Sequence, residues 1–122
     1  MMGKYILLDS SILLECERLR IFEELKEYSW LGKLAVTKQT LSELNLLAAK
    51  RKREARVALE LLKKNEVEIV DSIGRDADES ILNFERTRLA AVATNDEKLI
   101  KELKKRKIKI IRIRGRKRLE LI

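Results

Sequence analysis

Acidic residues follow several short apolar runs of this chain, and their spacing is the first sign of chemistry. Asp9 ends the apolar run at residues 4–9, and Asp96 follows the run at residues 89–94. A carboxylate beside a hydrophobic core is costly unless a cation or hydrogen bonds compensate its charge. Near the starts of two predicted helices lie three further acids, Glu43, Asp78 and Glu79. Oxygen ligands of this kind suit Mg²⁺ or Mn²⁺ rather than zinc.

The composition excludes several other chemistries. The chain contains no histidine, so a Ser-His-Asp triad, a Cys-His pair and an imidazole metal site are ruled out. Its four glycines are isolated, which excludes a phosphate-binding P-loop. A lone cysteine, Cys16, cannot form an internal disulfide and suits a reducing compartment. Since no apolar run approaches membrane-spanning length and no signal peptide is visible, we expect a cytoplasmic protein without membrane contact.

Five short apolar runs alternate with helical patterns along the chain. The runs predict strands at 4–9, 33–37, 66–71, 89–94 and 108–114, and the best-defined helical patterns lie at 38–49, 76–88 and 97–107. This alternation predicts an α/β fold, a three-layer sandwich with a mostly parallel sheet and helices on both faces. The length of 122 residues suits a single domain, 1–122. In such a sheet the carboxyl ends of the strands share one edge, where ligands bind.

Each acid, taken singly, also fits a helix cap. The segments 40–43 (TLSE) and 76–79 (DADE) match a capping box, while Asp96 and Asp9 each precede a segment that they could cap. Capping does not require an acid on almost every loop of one sheet edge, however. Clustered carboxylates repel one another, and some would protonate unless a cation lay between them. A hard cation among carboxylates, beside a basic surface, suggests hydrolysis of phosphodiester bonds.

Positive charge is concentrated near the C-terminus. The net charge is +8, and residues 98–118 contain 12 basic residues and one acid. Such asymmetry predicts a polyanionic partner, although a solvated helix face would also account for part of it. Two clusters are the expected phosphate contacts. The first follows the predicted helix at 38–49 and consists of Lys50, Arg51, Lys52 and Arg53. The second lies in a basic tail, 114–122, and consists of Arg114, Arg116, Lys117 and Arg118.

Four segments, in this order and spacing, resemble the motifs of the PIN-domain ribonucleases. They are ILLDSS, TLSEL, ADESIL and AVATNDEKLI, and the resemblance extends from residue 4 to about residue 114. It implies a five-stranded sheet of order 3-2-1-4-5 and a nuclease site that uses Mg²⁺ or Mn²⁺. It also implies catalytic, metal-binding roles for Asp9, Glu43, Asp78 and Asp96, with support from Ser10, Glu79, Thr94 and Asn95.

Within this family, IFEEL at 21–25 and the basic C-terminal segment look most like the branch that processes ribosomal RNA. Ribonuclease toxins of toxin–antitoxin pairs share the four acids and remain an alternative. A non-catalytic RNA- or protein-binding module, whose acids are helix caps, is a second one. RNA is the expected partner. The sequence leaves open a homodimer or higher homo-oligomer, an antitoxin and a ribosome-assembly partner.

Overall fold

A mostly parallel sheet organises the chain in the computed structural model, which describes residues 3–115 and 118–122. Its strands are β1 Tyr5–Leu8, β2 Lys33–Thr37, β3 Glu68–Val70, β4 Leu89–Ala93, β5 Ile110–Arg114 and β6 Arg118–Leu121. The spatial order is β3-β2-β1-β4-β5-β6. The first five strands pair in parallel, and β6 is antiparallel to β5. The predicted α/β class and the order 3-2-1-4-5 are therefore confirmed.

Short helices connect the strands. They are α1 Ser10–Leu13, α2 Cys16–Leu19, α3 Ile21–Leu25, α4 Lys38–Ala49, α5 Arg53–Lys64, α6 Ala77–Leu82 and α7 Glu97–Lys105, with 3-10 turns at Lys26–Tyr28 and Arg86–Arg88. The predicted helix at 38–49 is confirmed. The single helix predicted at 76–88 is wrong, because α6 ends at Leu82 and Glu85 adopts an extended ψ of 115°.

Alternating side chains of the strands supply two apolar layers. Ile6 and Leu8 of β1 lie in the layer that α1 to α5 cover, whereas Leu7 lies in the layer beneath α6 and α7. All three are fully buried. A strand covered on both faces reads as a continuous apolar run, as residues 5–8 do. The three-layer arrangement predicted from the sequence is confirmed.

The sheet has a sixth strand, so the predicted count of five is one too low. Gly115, with φ of 62°, follows β5 in the left-handed conformation that a tight turn requires and glycine adopts readily. After this turn Leu119 is 8% exposed and packs on the layer of α1 to α5. Its N–H donates to Glu24 Oε1 at 3.0 Å. The strand lies within residues 114–122, the segment that the sequence indicated as a basic tail.

Arg116 and Lys117, two of the predicted RNA contacts, lie outside the described residues. The extent of the domain, 1–122, remains a prediction. Among the residues that the structure describes, no helix combines the length and the apolar character needed to cross a membrane.

Candidate active site

The site lies where β1 and β4 end side by side. The backbone N–H of Asp9 donates to the carbonyl of Ala93, the last residue of β4, at 2.9 Å, which continues the parallel ladder one residue beyond β1. From β1 the chain builds outward through β2 to β3 and then crosses to β4 on the other side of β1, so strand order reverses between β1 and β4. Open α/β sheets bind ligands at such a point. Asp9 is only 2% exposed there.

Two hydroxyl groups hold the carboxylate of Asp9. Ser11 Oγ donates to Asp9 Oδ2 at 2.6 Å, and Thr94 Oγ1 donates to the same oxygen at 2.7 Å. Asp9 precedes α1 but makes no capping hydrogen bond with its side chain, so the capping explanation for this residue is wrong. Oδ1 receives no hydrogen bond from any described residue.

Glu43 is also free of the capping role that its sequence suggested. Helix α4 begins at Lys38, and the side chain of Thr37 caps it by accepting the N–H of Thr40 at 3.1 Å. Glu43 therefore lies beyond the first turn, half-buried, on the side that meets α1. There its Oε1 accepts a hydrogen bond of 2.5 Å from Ser10 Oγ. Ser10, which the sequence placed beside Asp9, thus contacts the second predicted acid.

Asp96 serves as the cap of α7 with one of its two oxygens. Its Oδ1 accepts the N–H groups of Lys98 at 2.9 Å and Leu99 at 3.4 Å, which confirms the predicted cap. Within the described residues Oδ2 has no hydrogen-bond donor. Asn95 lies just before it, and its side-chain oxygen accepts the N–H of Ile113 at 2.9 Å. Asn95 thereby ties this turn to β5.

The acids of the third segment differ in their surroundings. Asp76 caps α6 by accepting the N–H of Glu79 at 2.9 Å. The guanidinium and the backbone N–H of Arg75 bind both oxygens of Glu79, and this pairing lowers the pKa of Glu79. Asp78 has no hydrogen bond to its side chain from the described residues and is exposed. Glu79 is thus paired with Arg75 at the start of α6, whereas the side chain of Asp78 is available to bind a cation.

Electrostatics show that the acids share one environment. Partial desolvation, followed by the negative charges of Asp9, Asp96, Asp76 and Glu43, raises the pKa of Asp78 from 3.8 to about 6. A like charge nearby disfavours the ionised form of a carboxyl group, and a cation would relieve that cost.

The donor set fits a hard cation in its chemistry. Each of Asp9, Glu43, Asp78 and Asp96 keeps at least one oxygen that no described residue hydrogen-bonds. Across residues 3–115 and 118–122, however, no three acidic or sulfur-bearing side chains converge closely enough to form a ready-made cation site. The four carboxylates are therefore ligands of the right type for a hard cation. Their side chains would have to rotate before they could bind one ion together.

The two predicted basic clusters lie in different parts of the fold. Arg114 ends β5, and the parallel pairing of β5 with β4 brings it to the edge that carries Asp96. It lies opposite Arg118 in the hairpin with β6, and both are exposed. The other cluster, residues 50–53, joins the far end of α4 to α5. There Arg53 pairs with Glu17 at 3.1 Å.

Ser11 is the site residue that the sequence reasoning missed. Besides its bond to Asp9, its hydroxyl accepts the N–H of Asn95 at 2.9 Å and lies 3.1 Å from Thr94 Oγ1. The signal available was the second serine of ILLDSS. Adjacent helical residues point about 100° apart, so only the position of α1 decides which serine faces which acid.

Comparisons with known proteins agree with this architecture. A family model described as a PIN like domain matches residues 6–116. The solved structure of the PIN domain endonuclease Utp24 is 22% identical with a TM-score of 0.74, over 95% of this chain and 90% of that one. A domain of a functionally unknown protein from Methanocaldococcus jannaschii DSM 2661 is 16% identical with a TM-score of 0.55, over 93% of each chain. No curated protein matches.

Proposed function

We propose that this chain, which belongs to the PIN-like domain family, is a divalent-metal-dependent ribonuclease. The observation that carries the proposal is the carboxylate of Asp9, 2% exposed at the switch point and free of any capping role. Carboxylates from three other segments lie at the same edge. Partial desolvation of Asp78, followed by the charges of these neighbouring acids, raises its pKa to about 6. Acids that repel one another and include a group with a shifted pKa, at the ligand-binding edge of a sheet, are a common mark of a functional site.

Asp9, Glu43, Asp78 and Asp96 would hold Mg²⁺ or Mn²⁺. Such an ion lowers the pKa of a bound water and stabilises negative charge on a phosphate. The chain's own groups hold the ligands in place. Thr94 and Ser11 fix Asp9, Ser10 fixes Glu43, and the N-terminus of α7 fixes Asp96. Asn95 and Glu79 support the two turns that carry Asp96 and Asp78.

RNA is the proposed substrate, and the basic residues near the acids support this choice. Arg114 and Arg118 stand exposed beside the acidic edge, where a phosphate backbone would pass. The exposed cluster Lys50, Arg51, Lys52 and Arg53 offers a second contact. Phosphate contacts of this kind position a nucleic acid without reading its sequence.

Processing of ribosomal RNA is the role that we favour within this function. Its support is the sequence resemblance at 21–25 and in the basic C-terminal segment. The structural likeness to the PIN domain endonuclease Utp24 supports the nuclease fold that this role requires. A toxin would carry the same four acids, and its antitoxin would bind it tightly. Copurification from the native host separates the two roles, since an antitoxin would appear as a stoichiometric small protein.

A nuclease assay with matched polymers tests the function. We expect protein purified free of contaminating nucleases to cleave single-stranded RNA in millimolar Mn²⁺ or Mg²⁺ and to stop when a chelator is added. A DNA strand of the same sequence should be cleaved more slowly. Equal turnover of RNA with and without the chelator would contradict metal dependence, and faster cleavage of DNA would contradict the substrate.

One observation favours a non-catalytic binding module instead. Asp76 and Asp96 do cap α6 and α7, as that alternative requires. Asp9 and Glu43 do not serve as caps, which is why we prefer the enzyme. RNA binding without cleavage under any divalent cation would favour the module.

A further inference from the structure

We propose that Ser11 is a positioning residue that acts through Asp9. Together with Thr94 it fixes the carboxylate so that Oδ1 alone is left to bind a divalent cation. The inference rests on the proposed function, because it concerns the same acidic edge. It assigns a role to a residue that neither the motif resemblance nor the family match singles out.

A count of protons supports the assignment. A serine or threonine hydroxyl carries one proton and can accept two hydrogen bonds. The hydroxyl of Ser11 accepts the N–H of Asn95 at 2.9 Å, and that of Thr94 accepts the N–H of Asp96 at 3.1 Å. Each hydroxyl therefore has its proton free for Asp9 Oδ2, at 2.6 and 2.7 Å. The 3.1 Å contact between the two hydroxyls is then left without a proton.

Two parallel relays result from this count. One runs from the N–H of Asn95 through Ser11 to Oδ2, and the other runs from the N–H of Asp96 through Thr94 to the same oxygen. Hydrogen bonds to a charged acceptor are the stronger ones, so the carboxylate has a strongly preferred orientation. A half-turn of the carboxylate only exchanges its two equivalent oxygens, whereas a rotation that left neither oxygen against the two hydroxyls would break both relays. Oδ1, which no described residue contacts, is therefore the oxygen available to a cation.

The relays also join the two chain segments that meet at the site. Ser11 belongs to the first turn after β1, whereas Asn95 follows β4. A residue that only stabilised α1 would not need to accept an N–H from across the sheet. The neighbouring Ser10 has a comparable bond to Glu43 but no such backbone donor among the described residues. Ser11 therefore acts on the alignment of Asp9 with the segment that carries Asp96.

The test measures Mn²⁺ binding to the whole protein by calorimetry, alongside cleavage. Loss of a partner that orients a metal ligand typically weakens metal binding by about 10–100-fold. We expect Ser11→Ala to raise the Mn²⁺ Kd in this range, with cleavage recovering largely at saturating Mn²⁺. Ser11→Thr keeps the hydroxyl and should restore most of the affinity. The control is Ser72→Ala, which removes a hydroxyl bonded to the Ser80 carbonyl on a loop without a proposed ligand.

The outcomes separate this inference from the proposed function. An unmodified protein that binds no Mn²⁺ overturns the function and the inference together. An unmodified protein that binds Mn²⁺, with S11A binding equally well, overturns the inference alone. Should S11A fail to fold, Ser11→Cys fills the same space with a weaker donor and is held to the same comparison. A loss of affinity in S72A as large as that in S11A would also contradict a specific role for Ser11.

Discussion

Asp9 and Asp96 stand at the same edge of the sheet, but the chain holds their carboxylates differently. Asp9 accepts two side-chain hydroxyls, whereas Asp96 accepts two backbone N–H groups of α7. We expect Asp9→Asn to abolish cleavage and to leave the metal-free protein equally or more stable, because one of several repelling charges is removed. The asparagine side-chain oxygen can still accept both hydroxyl bonds.

Two substitutions at Asp96 distinguish the effect of its capping hydrogen bonds from the effect of its negative charge. Asp96→Asn should abolish cleavage while asparagine keeps the cap, whereas Asp96→Ala should also lower the free energy of unfolding by about 1 kcal/mol. Urea denaturation in metal-free buffer measures both effects. Cleavage retained in D9N and D96N would contradict the catalytic assignment. A marked loss of stability in D9N would contradict the view that repulsion between Asp9 and the other acids destabilises the metal-free protein.

Asp78 gives the site a dependence on pH whose sign follows from its raised pKa. The folded protein holds the proton with a pKa of about 6, against an ordinary value of 3.8. The folded state therefore binds more protons than the unfolded state between these values, and stability falls as pH rises through that window. We expect Asp78→Asn to flatten this part of the curve and to be the more stable protein at pH 7.

Chemical denaturation of metal-free protein from pH 4 to 7 (about the window set by the two pKa values) checks this expectation. The matched control is Asp71→Asn. Asp71 is an exposed aspartate between β3 and α6, and it pairs with Lys38 at 2.7 Å. Parallel curves for the unmodified protein and D78N, with an equal offset at every pH, would show that Asp78 does not titrate in this window.

At the scale of elements, the packing of β6 makes the C-terminal segment part of the fold. Leu119 is 8% exposed, and Tyr28 donates to its carbonyl at 3.3 Å. We expect Leu119→Ala to lower the free energy of unfolding by about 2 kcal/mol, the lower end of the range for truncating a core leucine to alanine. Arg118→Ala, at an exposed position of the same strand, should stay within about 0.5 kcal/mol. Equal stability of the two variants would mean that β6 does not pack on the sheet.

The sequence predicts the regular elements well because their patterns are strong. Residues 33–37 and 38–49 form β2 and α4 with the predicted bounds, since apolar periodicity and length decide them. The strand β6 escapes prediction because its two inward leucines alternate with charges inside a basic run. The cap of α4 escapes for a different reason. Thr37 and Thr40 are both suitable caps, and only the end of β2 selects Thr37.

The sequence predicts the acidic residues of the site but not the hydrogen bonds that hold them. The positions of Asp9 and Asp96 follow from strand order, because β1 and β4 are neighbours. The contacts of Ser10 with Glu43 and of Ser11 with Asp9 depend on how α1 turns after β1. That turn is set by packing of Ile12 and Leu13, both fully buried, and no local motif specifies it.

For the molecule as a whole, the uneven charge predicts one-sided contact with RNA. Residues 98–118 contain 12 basic residues and one acid, for a net charge of +11, whereas the rest of the chain has a net charge of −3. Strand β5 brings Arg114 of this segment to the acidic edge. We expect Arg114→Gln with Arg118→Gln to weaken RNA binding for all sequences alike. The slope of log affinity against log salt should fall by roughly 0.7 for each phosphate that the variant no longer neutralises. The rate at saturating RNA should change little, because the carboxylates are untouched.

Binding is measured with the inactive D9N protein as background, so that RNA stays intact. Lys50→Gln with Arg51→Gln is the matched control, since it removes the same charge from the other basic cluster, which joins α4 to α5. A larger loss of affinity in this control than in the C-terminal pair would place the main RNA contact along α4 and α5.

The acidic edge as a metal-dependent catalytic centre is tested most directly by the initial rate of RNA cleavage against Mn²⁺ concentration. The comparison uses the unmodified protein, Asp9→Asn and Asp76→Asn. Asp76 is an acid of the same edge that caps α6, and asparagine preserves that cap. We predict a saturable Mn²⁺ dependence for the unmodified protein and D76N, and no cleavage by D9N at any Mn²⁺ concentration. Cleavage by D9N at the unmodified rate, or cleavage that does not depend on Mn²⁺, would contradict the account.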